Sequence, residues 1–155
     1  MSYIPYAGIG SRKTPAPILQ EMGNIAMQLA LRNCVLRSGG AAGADRAFET
    51  GCDLVRGAKF IRIPTLWEKA LLHAAKFHPN WSACDETARG LHARNSLIMM
   101  GDGLDSPVSF VICWTDGGKV AGGTGQALRI AAAHNIPVFN LAVTPVADFW
   151  GWFNG

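Results

Sequence analysis

Recognition of a phosphate draws on a short inventory of residues: glycines that bare backbone N–H groups, hydroxyls beside them, and arginines that fork onto two oxygens. Three segments of this sequence concentrate that inventory. The first is Gly8-Ile9-Gly10-Ser11-Arg12-Lys13 and the second runs Ser38-Gly39-Gly40 to Gly43 and Asp45. The third carries Gly117 and Gly118, then Gly122-Gly123-Thr124-Gly125. Together they hold ten of the chain's 18 glycines. Each reads as a turn from a strand into a helix, where the free N–H groups and dipole of the helix N-terminus favour an anion. A tight turn alone explains one such loop. Three on one sheet edge point to a phosphate-bearing ligand.

Other side chains add to that chemistry. Arg12 and Lys13 follow the first strand, within reach of a phosphate, and the Ser38 hydroxyl lies beside glycine N–H groups. Asp45 opens a helix, where it either caps the dipole or orients a ribose hydroxyl or base. Glu49, one turn on, reads as solvated or paired with Arg46. Arg94 sits on a helix and offers a bidentate fork; Asn95 reads as a holder of loop backbone. Asp116 ends the longest strand, and Lys119 lies in the glycine loop after it. The candidate ligand-binding set is Gly8, Gly10, Ser11, Arg12, Ser38, Gly39, Gly40, Gly43, Asp45, Arg94, Asn95, Gly122, Gly123, Thr124 and Gly125. If the chain is an enzyme, Arg94, Asp116 and Asp45 are its catalytic candidates.

Several chemistries are excluded or disfavoured. No Gly-x-x-x-x-Gly-Lys-Ser/Thr pattern occurs, so a Walker-type triphosphate loop is absent. Lys13 stands where a dinucleotide fingerprint needs its third glycine. The second strand ends in Arg37-Ser38, without the acid that holds an NAD ribose. Cys34, Cys52, Cys84 and Cys113 form no Cys-x-x-Cys pair and read as buried thiols. His73, His78, His92 and His134 show no metal-ligand spacing, so neither metal nor cofactor is expected.

These residues need elements to position them. Apolar runs predict strands at Tyr3–Ile9, Val35–Arg37, Phe60–Ile63, Val108–Trp114 and Val138–Leu141. Helical spacing predicts a helix at Pro15–Leu31, with Thr14 as N-cap and Pro15 as first residue. Further helices are predicted at Ala44–Val55, Leu66–Phe77 and Gly125–Asn135. Another, capped by Ser82 or Asp85, runs through Met100 with Leu91, Leu97 and Ile98 inward. Strands alternating with helices imply a parallel sheet wrapped on both sides. The expected fold is a single α/β domain over 1–155, a doubly wound, Rossmann-like, mostly parallel sheet with helices on both faces. In such a sheet the three glycine loops share the carboxyl edge.

Composition agrees. The 155 residues are 49% hydrophobic and 16% charged, which suits one domain with a real core and rules out disorder. A net charge of +3 is mild for a duplex-DNA binder but suits an anionic ligand. No apolar run approaches the ~18–20 residues of a membrane helix, and the N-terminus lacks the order of a secretory signal. The reading is a soluble cytoplasmic domain with no membrane partner. The tail at 145–155, with Phe149, Trp150, Trp152 and Phe153, either docks on its own domain, anchors a homo-oligomer or stacks on bases.

The motifs GIGSR (8–12), SGGAAGADRAFETG (38–51), HARNSLI (92–98) and AGGTGQALRIAAAHNIPVF (121–139) occur in that order. Together they resemble the SLOG superfamily, and within it the Smf/DprA-like, YspA-type branch. In that branch a Gly-Ser-Arg opens the fold, as Gly10-Ser11-Arg12 does here. Ser38, Gly39, Ala41, Gly43 and Asp45 match its Ser-Gly-x-Ala-x-Gly-x-Asp segment, and Arg94-Asn95 its Arg-Asn pair. The resemblance implies binding of nucleotides, nucleotide-derived signals or single-stranded DNA at this edge.

The chain also resembles, more distantly, the LOG phosphoribohydrolases. Arg94 matches their catalytic arginine, and Gly122, Gly123 and Gly125 their phosphate-binding glycines. Ala121, Gln126 and Arg129 depart from their proline, threonine and catalytic glutamate. Three functions follow. The leading one is a module binding a nucleotide or nucleotide-derived small molecule. The second is an N-glycoside hydrolase of nucleoside monophosphates. The third is a small single-stranded-DNA binder that uses Arg12, Lys13, Arg37 and Arg46 with the tail aromatics.

Overall fold

Apolar residues alternate along β1 and β4 so that each strand serves two faces at once. Tyr6, Phe110 and Ile112 point to one side, and Ala7, Val111 and Cys113 to the other. A strand buried on both faces belongs inside a helix-covered parallel sheet. The computed structural model describes residues 3–55, the backbone of 60–62, and 68–155.

The strands are β1 (Ile4–Gly8), β2 (Cys34–Ser38), β3 (Phe60–Arg62), β4 (Phe110–Cys113) and β5 (Val138–Asn140). The helices are α1 (Ala16–Ala30), α2 (Ala44–Asp53), α3 (Glu68–Phe77), α4 (Glu86–Met100), α5 (Gly122–Ala133) and α6 (Val146–Asn154). The sheet order is β3-β2-β1-β4-β5, and every pairing is parallel. The chain moves outward from β1 to β3, crosses back, and continues from β4 to β5. This is the expected doubly wound α/β fold.

The reversal divides the helices between the faces. α1, α2 and α6 cover Tyr6, Leu36, Phe110 and Ile112, adding Met22, Leu29, Phe48 and Phe149. α4 and α5 cover Ala7, Val111 and Cys113, adding Leu97, Ile98, Ile130 and Ala131. The tail therefore docks on its own domain: Phe149 is fully buried, its ring 5.4 Å from Phe110 and 5.1 Å from Phe139. Trp150 lies beneath Arg32, just past the C-terminal end of α1 and at the edge opposite the glycine loops. The expectation that tail aromatics stack on a ligand there is corrected. No helix among the described residues is long and apolar enough to cross a membrane.

Several local expectations shift. Pro15, not Thr14, is the N-cap of α1, and the Thr14 hydroxyl donates to the Ser11 carbonyl instead. Asp85 caps α4, accepting from the Ala88 N–H at 2.8 Å. Leu97 and Ile98 face inward, but Leu91 is exposed, because it follows the polar side of that helix. Residues 63–67, where α3 was expected to begin, lie outside the described residues. α5 starts at Gly122 rather than Gly125, so the glycines form its first turn.

α1 and α2 approach each other through glycine. A Cβ at Gly51 would fall inside the Gly23 carbonyl oxygen and 2.9 Å from the Gly23 Cα. Backbone cannot rotate away as a side chain can, so the helices would have to part. Gly51→Ala is expected to destabilise the fold by about 1–3 kcal/mol, the usual range for overpacking, measured by urea unfolding. An unchanged midpoint would show that α1 shifts at no cost.

Candidate phosphate-binding site at the carboxyl edge

The strand order reverses between β1 and β4, and a doubly wound sheet opens its ligand crevice beyond such a point. The loop after β1 is spent largely on its own geometry. The Ile9 and Ser11 N–H groups donate to the Ile112 and Trp114 carbonyls at 3.1 and 3.0 Å. Ser11 Oγ accepts from the Lys13 N–H at 3.1 Å. Gly8 and Gly10 answer to packing: a Cβ at Gly8 would strike the Phe48 ring, and one at Gly10 the Ala44 Cβ at 2.7 Å. These glycines bring α2 onto β1. Arg12 and Lys13 project from the loop, exposed.

The second loop is tied to α2. Ser38 Oγ donates to Glu49 Oε2 at 2.6 Å and accepts from the Gly40 N–H at 3.2 Å. Ser38 and Glu49 are both buried, so Glu49 is not solvated, one of the two roles its sequence position had implied. Gly40 and Gly43 take φ of 73° and 91°, the left-handed region that favours glycine. Asp45, in the first turn of α2, accepts from the Ala41 N–H at 3.1 Å. Burial pushes its carboxyl up from the usual range, while that N–H and Arg94 pull the other way.

A carboxyl whose folded pKa is raised favours the fold most when protonated, and that stability is lost as pH rises through the raised value. Asp45→Asn, which keeps an acceptor for Ala41, is therefore expected to raise stability at pH 7. The gain should fade as pH drops below the ordinary aspartate value of 3.8. Paired thermal scans across pH test this, and a variant less stable than wild type at pH 7 would overturn it. A carboxyl whose ionisation burial opposes, with an arginine beside it, is a candidate for function.

Arg94 reaches this loop from the opposite face of the sheet. A Cβ at Gly39 would lie 2.7 Å from Arg94 Nε and 3.0 Å from Asp45 Oδ2, so the missing side chain makes room for the guanidinium. Arg94 Nε is buried with no hydrogen-bond partner. Asn95, the next residue, donates from Nδ2 to the Gly123 carbonyl at 3.0 Å and so fixes the first turn of α5. Around Gly122 (φ 66°) and Gly123, an added Cβ would meet nothing within 4 Å. The fold thus joins Gly39, Asp45, Arg94, Asn95 and the open start of α5, with Thr124 half-buried and Gly125 packed on Val120.

Other expected residues lie elsewhere. Asp116 is exposed and pairs with Lys13 at 4.0 Å, out at the rim. Lys119 and Arg46 are also exposed. Arg37 is buried and donates to the Ser106 carbonyl at 2.7 Å, which removes it from any ligand-binding role. Arg129 and Gln126, at the positions that depart from the LOG pattern, serve α3: Arg129 Nε donates to the Phe77 carbonyl and Gln126 Nε2 to the Ala74 carbonyl. Sequence reading also missed Asn140, which holds Thr115 through its N–H at 3.2 Å and its hydroxyl at 2.7 Å. Away from the edge, the fold gathers His78, Cys84 and His92, whose spacing gave no sign of a cluster.

Fold and edge together define a doubly wound α/β domain whose carboxyl edge is built around an arginine and helix N-termini. No protein-family model matches the chain, and no curated protein matches it in sequence. Among solved structures it is similar to DNA processing protein A from Helicobacter pylori, described for its single-stranded DNA binding mode. The match covers 88% of this chain and 64% of that one, with a TM-score of 0.57 and 18% identity. This chain has a DprA-like fold and spans just under two thirds of that protein's length.

Proposed function

We propose that this chain binds single-stranded nucleic acid through its phosphates, along the carboxyl edge of the sheet. The observation that carries this reading is Arg94: a guanidinium seated on Gly39, its Nε buried without a partner, beside the open N-terminus of α5. Charge-assisted hydrogen bonds to phosphate would complete it. Arg12, Lys13, Arg46 and Lys119 are spread along the same edge, all exposed. One phosphate needs fewer cations than that; consecutive phosphates of a strand use them all. The single-stranded DNA binding described for the similar structure supports the same class of ligand.

Fluorescence anisotropy with a labelled oligothymidylate tests the reading. Three to five phosphate contacts predict a slope of log affinity against log salt of about −2 to −3.5. A slope near zero, or no binding at low salt, would overturn it.

A second reading has its own observation. Asp45 and Glu49 are buried side by side with Arg94 near Asp45, the grouping that a nucleoside-monophosphate N-glycosidase would need. In that case the ligand is a nucleotide, and Arg94 and Asp45 act on it while Asp116 stays at the rim. Chromatographic detection of free base, formed by wild type and lost in Asp45→Asn, would favour it over the first.

A further inference from the structure

The segment between α3 and α4 carries a second constellation. His78 follows α3 directly, Trp81–Ala83 forms a single 3-10 turn, Cys84 ends that turn, and His92 lies in the second turn of α4. Cys84 Sγ is 3.6 Å from His78 Nε2 and 3.8 Å from Nδ1. The His78 and His92 ring centroids are 4.5 Å apart. One donor atom from each of the three residues lies within 4.8 Å of the others.

We propose that His78, Cys84 and His92 bind a zinc ion that clips the α3–α4 connection onto α4. A second observation points to a ligand: His92 is only 8% exposed, and its Nδ1 is buried with no hydrogen-bond partner. Buried polar atoms are rarely left so, and a ring with an orphaned nitrogen beside a thiol and a second imidazole suits a metal. One thiolate and two imidazoles form a donor set that suits zinc and disfavours the oxygen-seeking magnesium, calcium and manganese. Zn–N and Zn–S bonds of about 2.0–2.3 Å place tetrahedral donors roughly 3.3–3.8 Å apart. The Cys84–His78 distance already fits, and the widest gap, within 4.8 Å, must close by about 1–1.5 Å.

Three protein donors leave one tetrahedral position to water. Ligation by His78 Nε2 puts its proton on Nδ1, so the 3.0 Å contact from the Asn80 N–H must give way. The cations facing the cluster are Arg129, close enough to act on His92, and Arg89, whose Nη2 shares the Trp81 carbonyl with the Cys84 N–H. The thiolate offsets half of the charge that the ion brings. Arg94 follows His92 by two residues, so the clip would also steady the stretch of α4 that presents it.

Cobalt(II), a spectroscopic stand-in for zinc, tests the site on the chelator-treated protein. The expected result is one equivalent bound, with the visible bands of tetrahedral cobalt and a near-ultraviolet sulfur-to-cobalt band, all displaced by zinc. Cys84→Ser should abolish the sulfur band and weaken binding on the order of 100-fold. At 100 times its dissociation constant, zinc should raise Tm by about 5–10 °C. Octahedral cobalt without a sulfur band, no binding, or a band that survives Cys84→Ser overturns the proposal; the last would move the metal to Cys34, Cys52 or Cys113. Should Cys84→Ser fail to fold, alkylation of the wild type decides instead. Zinc should protect Cys84 from iodoacetamide, and an unchanged labelling rate at that residue counts against the site.

Discussion

Arg94→Ala should weaken oligonucleotide binding about 10- to 150-fold, the equivalent of the 1.5–3 kcal/mol that a charge-assisted contact contributes. Stability at neutral pH should fall as well, because the buried Asp45 carboxylate loses the guanidinium charge that favours it, although the Arg94 Nε, buried without a hydrogen-bond partner, gives up no bond of its own. Arg94→Lys should not restore binding, since an ammonium lacks the planar fork and cannot lie flat on Gly39. Gly39→Ala gives an independent approach. Its Cβ would displace the Arg94 Nε from 2.7 Å while leaving every charge in place. The atoms it crowds, Arg94 Nε and Asp45 Oδ2, belong to side chains rather than backbone, so the fold should form with a modest loss of stability while binding falls. Anisotropy titrations at fixed salt, with melting curves for each variant, separate the two effects. Wild-type affinity in both Arg94→Ala and Gly39→Ala would remove Arg94 from the site and the proposed function with it.

The alternation of apolar runs with helical stripes was legible in the sequence because each side chain's surroundings repeat along the chain. β1, β2, β4 and β5, α1, α2 and α4, and the parallel doubly wound class all follow from that repetition. The start of α5 did not. Gly122, Gly123 and Gly125 weigh against helix in isolation, yet Asn95 holds the Gly123 carbonyl from α4 and the first turn forms there.

Side-chain roles were legible only where the partner is local. Asp85 as a cap was readable because Ala88 is three residues away. Arg37 was not, since its partner carbonyl at Ser106 lies 69 residues on. The pairing of Ser38 with Glu49 depends on where α2 lands on β2. Likewise His78, Cys84 and His92 match no ligand spacing because a 3-10 turn, rather than a helix, carries the chain between the first two. The glycine loops were correctly placed on one edge, but sequence could not separate glycines that admit a helix, such as Gly8 and Gly10, from those that leave open space, such as Gly122 and Gly123.

Phe149→Ala should cost about 3–5 kcal/mol, the usual penalty for emptying a large aromatic site in a core. Its ring is fully buried and touches Phe110, Phe139, Trp150 and Phe153, so truncation leaves a cavity with aromatic walls on several sides. A domain of this size has only about 5–15 kcal/mol in total. Deleting residues 149–155 should therefore unfold the protein. Trp152 gives the contrast. It packs on Phe139 and Phe110 but is 46% exposed, so Trp152→Ala should cost clearly less than Phe149→Ala. The two substitutions also separate the core role of α6 from its proposed service as a homo-oligomer contact. Urea unfolding reads the first and light scattering the second. If the wild type is an oligomer and Trp152→Ala a folded monomer, the outer face of α6 is the interface. If Phe149→Ala unfolds at the wild-type midpoint, α6 does not seal the sheet, and the assignment of the tail to the core fails.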